Sequence, residues 1–377
     1  MSKTYQLMAT GAAGLEAVIG KELRQLDFDP QVENYRVRFQ GNQADILRAN
    51  LWLRAADRVK IIVGEFEAHT FDELFEGVKA LDWQDYLNYD SVFPVAGRSH
   101  HSTLHSVPDV QAITKRAIVS KLQEAYHIRT RLPENGFTAQ LEVMIEKNHV
   151  ILTLDTTGSS LFKRGYRVDK GPAPLKENFA AALVLLTNWR PDLPFVDPTT
   201  GSGTIAIEAA LIGRNIAPGL IRTFAIEQMD WFDQSLSETV RDQAEAQADY
   251  DRELDIAGYD LDENMVAIAQ ENARHAGLGH DVTFKQLAVK DWRTDKPHGV
   301  LVSNPPYGQR LGELEAAREL YEEMGQLYQQ LTGWSKYILT ADQDFEKYYG
   351  QKATKKRKLY NGSLRVDYYQ YWASRRS

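Results

Sequence analysis

The residues best able to do chemistry in this 377-residue chain stand in two short runs. One is Asp197-Pro198-Thr199-Thr200-Gly201-Ser202-Gly203-Thr204, and the other is Asn304-Pro305-Pro306-Tyr307-Gly308. In the second run, consecutive prolines fix φ near −65° and remove their own backbone donors. The Pro305 carbonyl is thereby kept out of a helix and stays free to accept a hydrogen bond from a ligand. The Asn304 side-chain oxygen is a second acceptor. Together they match the paired hydrogens of an NH2 group and turn its lone pair one way. Pro306 stiffens the turn, and Tyr307 offers a face on which a base can stack, worth roughly 1–3 kcal/mol per base. Gly308 leaves room. The chemistry implied is attack by a planar amino nitrogen on an electrophile carried by a cofactor. Asn304 has no useful proton-abstracting pKa, so its part is orientation. A bare run of this kind is also a tight turn at a strand end, and its weight comes from what precedes it.

The first run supplies that context. Leu193 to Val196 is a short apolar run leading into an acid, Asp197, then a turn with Gly201 and Gly203. Ile205 to Ile212 is apolar and suits a buried helix, within which Glu208 reads as structural. Strand, glycine turn and helix open a doubly wound α/β unit. The glycines let backbone approach a ligand closely. The spacing is neither that of a P-loop nor the dinucleotide G-x-G-x-x-G. A second strand, Ile256 to Asp260, ends in an acid placed to accept from ribose hydroxyls. Asp262 beside it reads as the N-cap of the next helix, which Gly277 stops. A third strand begins at Val282, and a fourth, Gly299 to Ser303, delivers Asn304.

With Asp-Pro in front and Gly-Ser-Gly-Thr behind, the first run resembles the S-adenosylmethionine loop of class I methyltransferases. The stretch Ser102 to Gln111, leading to Lys115 and Arg116, resembles THUMP domains. Further pieces are Lys163-Arg164-Gly165-Tyr166-Arg167, Ala173-Pro174-Leu175-Lys176-Glu177 and Tyr360-Asn361-Gly362. Over nearly its full length the chain resembles the THUMP-containing class I methyltransferases that modify guanine N2 in 23S ribosomal RNA. The resemblance implies an α/β fold: a Rossmann-like class I methyltransferase domain behind an N-terminal α+β ferredoxin-like and THUMP region. It implies S-adenosylmethionine as cofactor, with S-adenosylhomocysteine as product. Asp197, Thr199, Gly201, Gly203, Thr204, Asp260, Ala288, Val289 and Asn304 would line the donor, and Asn304, Pro305, Pro306 and Tyr307 would hold the acceptor. The family often has an acid near the end of the third strand to meet the adenine amino group. Ala288 stands there instead, with Asp291 three residues on, so backbone groups of Ala288 and Val289 are expected to serve. Lys176 and Glu177 stand near the first strand, either facing ligand or on a helix surface. The four-residue Asn-Pro-Pro-Tyr run is shared with N6-adenine DNA methyltransferases, the alternative reading, alongside methylation of transfer RNA guanine N2. Against the DNA reading, the span from Gly203 to Asn304 has no room for a large target-recognition domain. A third reading, an RNA-binding protein with a dead catalytic domain, is disfavoured by the intact runs.

The elements that must position these residues divide the chain at coarse scale. Residues 1–65 read as a ferredoxin-like unit: strand Tyr5 to Thr10, helix Leu15 to Leu26, then strand-like runs Val32 to Phe39 and Val59 to Phe66. Residues 66–155 read as the THUMP domain, with helices Phe71 to Ala80 and Asp109 to Tyr126 and strands Phe137 to Glu146 and His149 to Asp155. Thr156 to Ser160 opens an expected linker, 156–170, before the catalytic domain at 171–377. Hydrophobic residues at 43% and charged residues at 25% place the chain among ordinary globular proteins. The absence of cysteine excludes disulfides and thiolate chemistry. No run reaches membrane-span length, and with no signal pattern the expectation is a cytoplasmic bacterial protein.

The net charge of −8 is unevenly spread. Residues 222–263 hold 13 acids against 3 bases, and read as a solvated insertion. Residues 351–377 hold 8 bases and 1 acid. Lys355, Lys356, Arg357 and Lys358 there, and Lys163, Arg164 and Arg167 in a second stretch with Lys170 and Lys176, are the expected phosphate contacts to a structured RNA. His100, His101 and His105 lack an acidic or thiol co-ligand and are not read as a metal site; no metal is expected.

Overall fold

The computed structural model describes residues 3–168, 175–308 and 313–373. Lys170, Ala173 and Pro174, and the terminal Arg375 and Arg376, lie outside the described residues. The N-terminal strands are β1 (Tyr5–Gly11), β2 (Gln31–Glu33), β3 (Arg36–Gly41), β4 (Ala56–Glu67), β5 (Val95–His100), β6 (Leu141–Glu146) and β7 (His149–Asp155). They form one sheet in the order β2-β3-β1-β4-β7-β6-β5. Its helices are α1 (Glu16–Gln25), α2 (Gln43–Trp52), α3 (Phe71–Lys79) and α4 (Val107–Ala125).

Strand β4 crosses the expected boundary at 65. It pairs antiparallel with β1 through Leu7↔Ile61 and Ala9↔Val59, and with β7 through Ile61↔Leu154 and Phe66↔Val150. The ferredoxin-like and THUMP units therefore share a continuous sheet. Nor is the expected linker a free tether. Thr156 and Thr157 are fully buried. Asn50 Nδ2 donates to Thr156 Oγ1 at 3.0 Å, and Thr157 Oγ1 donates to Asn50 Oδ1 at 2.6 Å. Helices α2 and α3 begin with reciprocal caps, Asn42 with Asp45 and Thr70 with Glu73.

The second sheet contains β8 (Phe195–Asp197), β9 (Ile256–Asp260), β10 (Val282–Gln286), β11 (Gly299–Ser303), β12 (Trp334–Thr340), β13 (Lys355–Asn361) and β14 (Leu364–Tyr371). Its order is β10-β9-β8-β11-β12-β14-β13, with β14 antiparallel to both of its neighbours and the other pairs parallel. Its helices are α5 (Glu177–Leu185), α6 (Thr204–Gly213), α7 (Ser235–Glu245), α8 (Glu263–His275), α9 (Glu313–Tyr328) and α10 (Phe345–Tyr349). Side chains alternate across the strands. Phe195, Val300, Val302 and Leu339 share a core with α5, α6 and α8, while Val196, Leu301 and Ile338 pack with α9 and α10. Both faces are thus covered, as a buried parallel sheet requires.

The acidic stretch is more than a solvated insertion. Trp231 packs against Tyr5 in a tilted pair with ring centroids 5.6 Å apart, and its Nε1 donates to the Tyr86 carbonyl at 3.1 Å. Gln43 Nε2 donates to the Trp231 carbonyl at 3.0 Å, and its Oε1 accepts from the Asp233 amide at 2.8 Å. Acidic composition hid a docking segment whose anchors are aromatic. A second seam is polar. Arg54 Nη2 donates to the Ile216 carbonyl at 2.7 Å, and Arg164 Nη2 to the Arg54 carbonyl at 2.6 Å. Beside them Glu22, pushed up to about 7 by burial, accepts from the Arg54 and Ala55 amides at 2.8 and 3.0 Å. The two sheets are held as one body through a core that contains residues of both.

Candidate active site

Parallel pairing of β8 with β11, Phe195↔Val300 and Val196↔Leu301, brings the two chemical runs out of neighbouring strands at the same end. This is where the strand order reverses, the place where open α/β sheets bind ligands. Thr199 Oγ1 and Ser303 Oγ lie 2.8 Å apart and tie one turn to the root of the other.

The glycine turn is shaped from three sides. Gly201 and Gly203 have φ of 51° and 84°, in the region that disfavours side chains. A Cβ on Gly203 would stand 2.9 Å from both Ala269 and Phe284, so this glycine serves close packing of the turn on α8 and β10. The Gly201 amide donates to Asp260 Oδ2 at 2.8 Å, and the Asp262 amide to Asp260 Oδ1 at 3.0 Å. Asp260 thus holds the turn itself and also lines the cleft. Asp262 caps α8 by accepting from the Asn264 amide at 2.8 Å. Asp197 is 1% exposed; burial pushes its carboxyl up to about 7, opposed by the Thr199 amide.

From beneath, the turn rests on Arg167. Its guanidinium pairs with Glu177 at 2.8 Å and donates to Ser202 Oγ at 3.2 Å, Thr204 Oγ1 at 2.9 Å and the Leu175 carbonyl at 2.9 Å. The side chains of Arg167 and Glu177 are 8% and 6% exposed. Arg164 is 2% exposed, 3.4 Å from Glu208, which also accepts from the Tyr166 hydroxyl at 3.1 Å. Both arginines are therefore corrected: they are internal braces, withdrawn from any RNA surface because each has a buried glutamate to meet. Lys163 and Lys176 remain exposed. Glu208 is structural, as its place in the helix suggests.

In the second turn the Tyr307 hydroxyl donates to Asn304 Oδ1 at 2.5 Å. Burial holds that hydroxyl well above the ordinary tyrosine range, so it is a neutral donor. The Tyr321 hydroxyl donates to the Pro306 carbonyl at 2.9 Å and lies 3.0 Å from Thr340 Oγ1. No such donor reaches the Pro305 carbonyl among the described residues. Gly308 has φ of 65°, and a Cβ there would come within 2.3 Å of the Leu314 Cα.

Between the turns lies an open cleft of about 1170 Å³. Thr199, Gly201, Asp260, Ala288, Val289 and the whole of Asn304–Gly308 line it. Asp197, Gly203 and Thr204 do not; they sit inside the turn they shape. Asp291 is exposed and lies outside the lining. Sequence reasoning missed Leu261, Leu287, Leu320, Glu323 and Leu364, and had Asn361 only as part of the Tyr360-Asn361-Gly362 run. Leu261 carried a signal, an apolar residue directly after the strand-tip acid, and it is 72% exposed. The lining fits a nucleoside-bearing cofactor: a carboxylate at Asp260, close backbone at Gly201, and apolar Leu261, Leu287 and Val289 around the small Ala288.

Lys355, Lys356 and Lys358 are exposed on β13, the edge strand of its sheet, whose turn carries Asn361 and Leu364 into the cleft. Arg357 is half-buried and reaches the Gly14 carbonyl at 3.4 Å. Lys356 lies 3.7 Å from buried Asp367. Among the described residues no group of histidine, cysteine or acidic side chains could hold a metal, and no helix is long and apolar enough to cross a membrane.

Residues 164–370 match the family model for the "RMKL-like, methyltransferase domain", residues 6–60 the "RlmL ferredoxin-like domain" and residues 68–155 the THUMP domain. The chain is 52% identical to "Putative RNA methyltransferase YpsC" of Bacillus subtilis (strain 168), over 98% of this chain and 97% of that protein. It is 34% identical, over 97% of its length, to "Ribosomal RNA large subunit methyltransferase K/L" of Syntrophotalea carbinolica, and spans 53% of that protein. The chain therefore covers about half the length of these K/L relatives. Among solved structures, SMU.472, described as "a putative methyltransferase complexed with SAH", superposes with a TM-score of 0.95 at 56% identity over 100% of both chains. A Listeria monocytogenes protein described as "a predicted N6-adenine-specific DNA methylase" gives a TM-score of 0.95 at 56% identity, over 99% of this chain and 97% of that one.

Proposed function

This chain belongs to the RMKL-like methyltransferase family, and on that premise we propose that it methylates the exocyclic N2 amino group of a guanine in 23S ribosomal RNA. S-adenosylmethionine is the donor, as the complex of the SMU.472 relative with SAH supports. The relatives named as RNA methyltransferases, and the THUMP match, support RNA as the substrate class. The observation that carries the reading is the juxtaposition of the turns, joined by the Thr199–Ser303 contact of 2.8 Å at the strand-order reversal.

When bound, the donor supplies an electrophilic methyl on a sulfonium, already a good leaving group. Everything else falls to this chain. Asp260 and the Gly201 backbone hold the ribose side of the donor. The target base leaves its helix and lies against Tyr307. Asn304 Oδ1 has a second lone pair beside the one that Tyr307 occupies. That lone pair and the Pro305 carbonyl accept the amino hydrogens and aim the nitrogen. The N–C bond forms as the S–C bond breaks, and the amino proton leaves to water. The exposed lysines of β13 contact phosphate beside the cleft.

The test offers radiolabelled donor to ribosomal RNA, transfer RNA and DNA in parallel, followed by nucleoside analysis. N2-methylguanosine in ribosomal RNA is the expected product. Label only in transfer RNA moves the substrate, and N6-methyladenine in DNA alone overturns the RNA reading.

A further inference from the structure

Position 288 is alanine, so the third strand brings no acid to the cleft, and Asp291 faces solvent. An acid nevertheless reaches the same side of the cleft from another element. Helix α9 packs on the turn at Val289–Asp291: Val289 shares a core with Ala317, Tyr321 and Met324 of that helix. Leu320 and Glu323 are three residues apart on α9 and line the cleft with Leu287, Ala288 and Val289. Glu323 is half-buried, and no hydrogen bond or ion pair engages its carboxylate among the described residues. A half-buried carboxylate without a protein partner, set in a partly apolar cleft, is placed to accept from a donor that a ligand brings. Its neighbours Leu287, Val289 and Leu320 offer apolar surface for a flat ring. A ring that carries an NH2 group at its edge would meet both features.

Resting on the reading of this cleft as the donor site, we propose that Glu323 accepts the exocyclic amino group of the donor's adenine. The acceptor thus comes from α9, on the side of the cleft that Leu287, Ala288 and Val289 line. The assignment predicts discrimination at one atom. S-inosylhomocysteine carries oxygen where S-adenosylhomocysteine carries the amino group, and would turn an acceptor towards a carboxylate.

Calorimetric titration of the full chain with each ligand tests this. Wild type should prefer S-adenosylhomocysteine by about tenfold or more, the scale of a hydrogen bond to a charged acceptor. Glu323→Ala should bring the two affinities within about twofold. Glu323→Gln, which keeps a neutral acceptor, should fall between. Unchanged melting temperatures of the free variants show that the fold is intact. Equal affinities in wild type, or an undiminished preference in Glu323→Ala, would overturn the assignment while leaving the donor site standing. Failure of wild type to bind S-adenosylhomocysteine at all sinks the donor reading, and the assignment with it.

Discussion

Tyr307 does two things with one side chain, and they can be separated. Its ring is half-buried beside the cleft and its hydroxyl fixes the Asn304 amide. Tyr307→Phe keeps the ring and frees the amide. The expected result is a kcat lower by about 2- to 12-fold, the scale of a neutral hydrogen bond, with S-adenosylhomocysteine affinity unchanged in calorimetry. Asn304→Ala should lose far more turnover at the same cofactor affinity. Asp197 gives a pH signature. Burial raises its folded pKa from 3.8 to about 7, so the fold favours the protonated form. That contribution is present in full below about pH 4 and is lost as pH rises through about 7. Relative to wild type, Asp197→Asn should gain stability between pH 4 and pH 8, by up to about 4 kcal/mol in urea unfolding. Glu22 titrates in the same direction and should leave a residual slope in the variant. At this scale the two chemical runs were legible because their meaning lies in residue type and order. Arg164 and Arg167 were not, because a basic residue is exposed or internal according to whether the fold brings a buried glutamate to it.

The glycine turn is positioned by elements on either side of it, and Arg167 is the brace whose removal reports on this. Arg167→Ala leaves Glu177 buried without its cation, a loss of the order of 3–5 kcal/mol. It also frees Ser202 and Thr204, so cofactor affinity should fall together with the urea midpoint. RNA affinity measured without cofactor should keep its salt dependence, which separates the internal role from a phosphate contact. Of the four parallel strands that carry the site, three were readable from apolar runs leading to Asp197, Asp260 and Asn304, and the third in order from its start at Val282. Helix α2 and strand β5 were not. The α2 sequence, QADILRANLW, mixes polar residues into positions that tertiary contacts bury. In β5, VAGRSH is polar and half-exposed at a sheet edge, so alternation is faint. Trp231 was hidden by the acids around it.

For the molecule as a whole, the exposed lysines of β13 lie on the edge strand whose turn reaches the cleft. Replacing Lys355, Lys356 and Lys358 by glutamine should weaken RNA binding and flatten the slope of log affinity against log salt by about 2–3. Filter binding across a salt series measures it, and an unchanged slope would remove these residues from the RNA path. Truncation at residue 155 is a poor way to isolate the catalytic half. It would strip Tyr5 and Gln43 from Trp231, and Asn50 from Thr156 and Thr157, so unfolding of the remainder is the expected outcome. Domain order was legible in the sequence, while the fusion of the units was not, since it depends on β4 having partners on both edges. That sharing has a mechanical result. A strand hydrogen-bonded on both sides ties the ferredoxin-like and THUMP units into one sheet, and the seams at Trp231 and Arg54 fasten the catalytic half to it. The protein is then a caliper with fixed jaws. Whatever the THUMP half grips, the reachable nucleotide lies at a set distance and bearing from it. A substrate stem lengthened by a single base pair should be bound and left unmethylated.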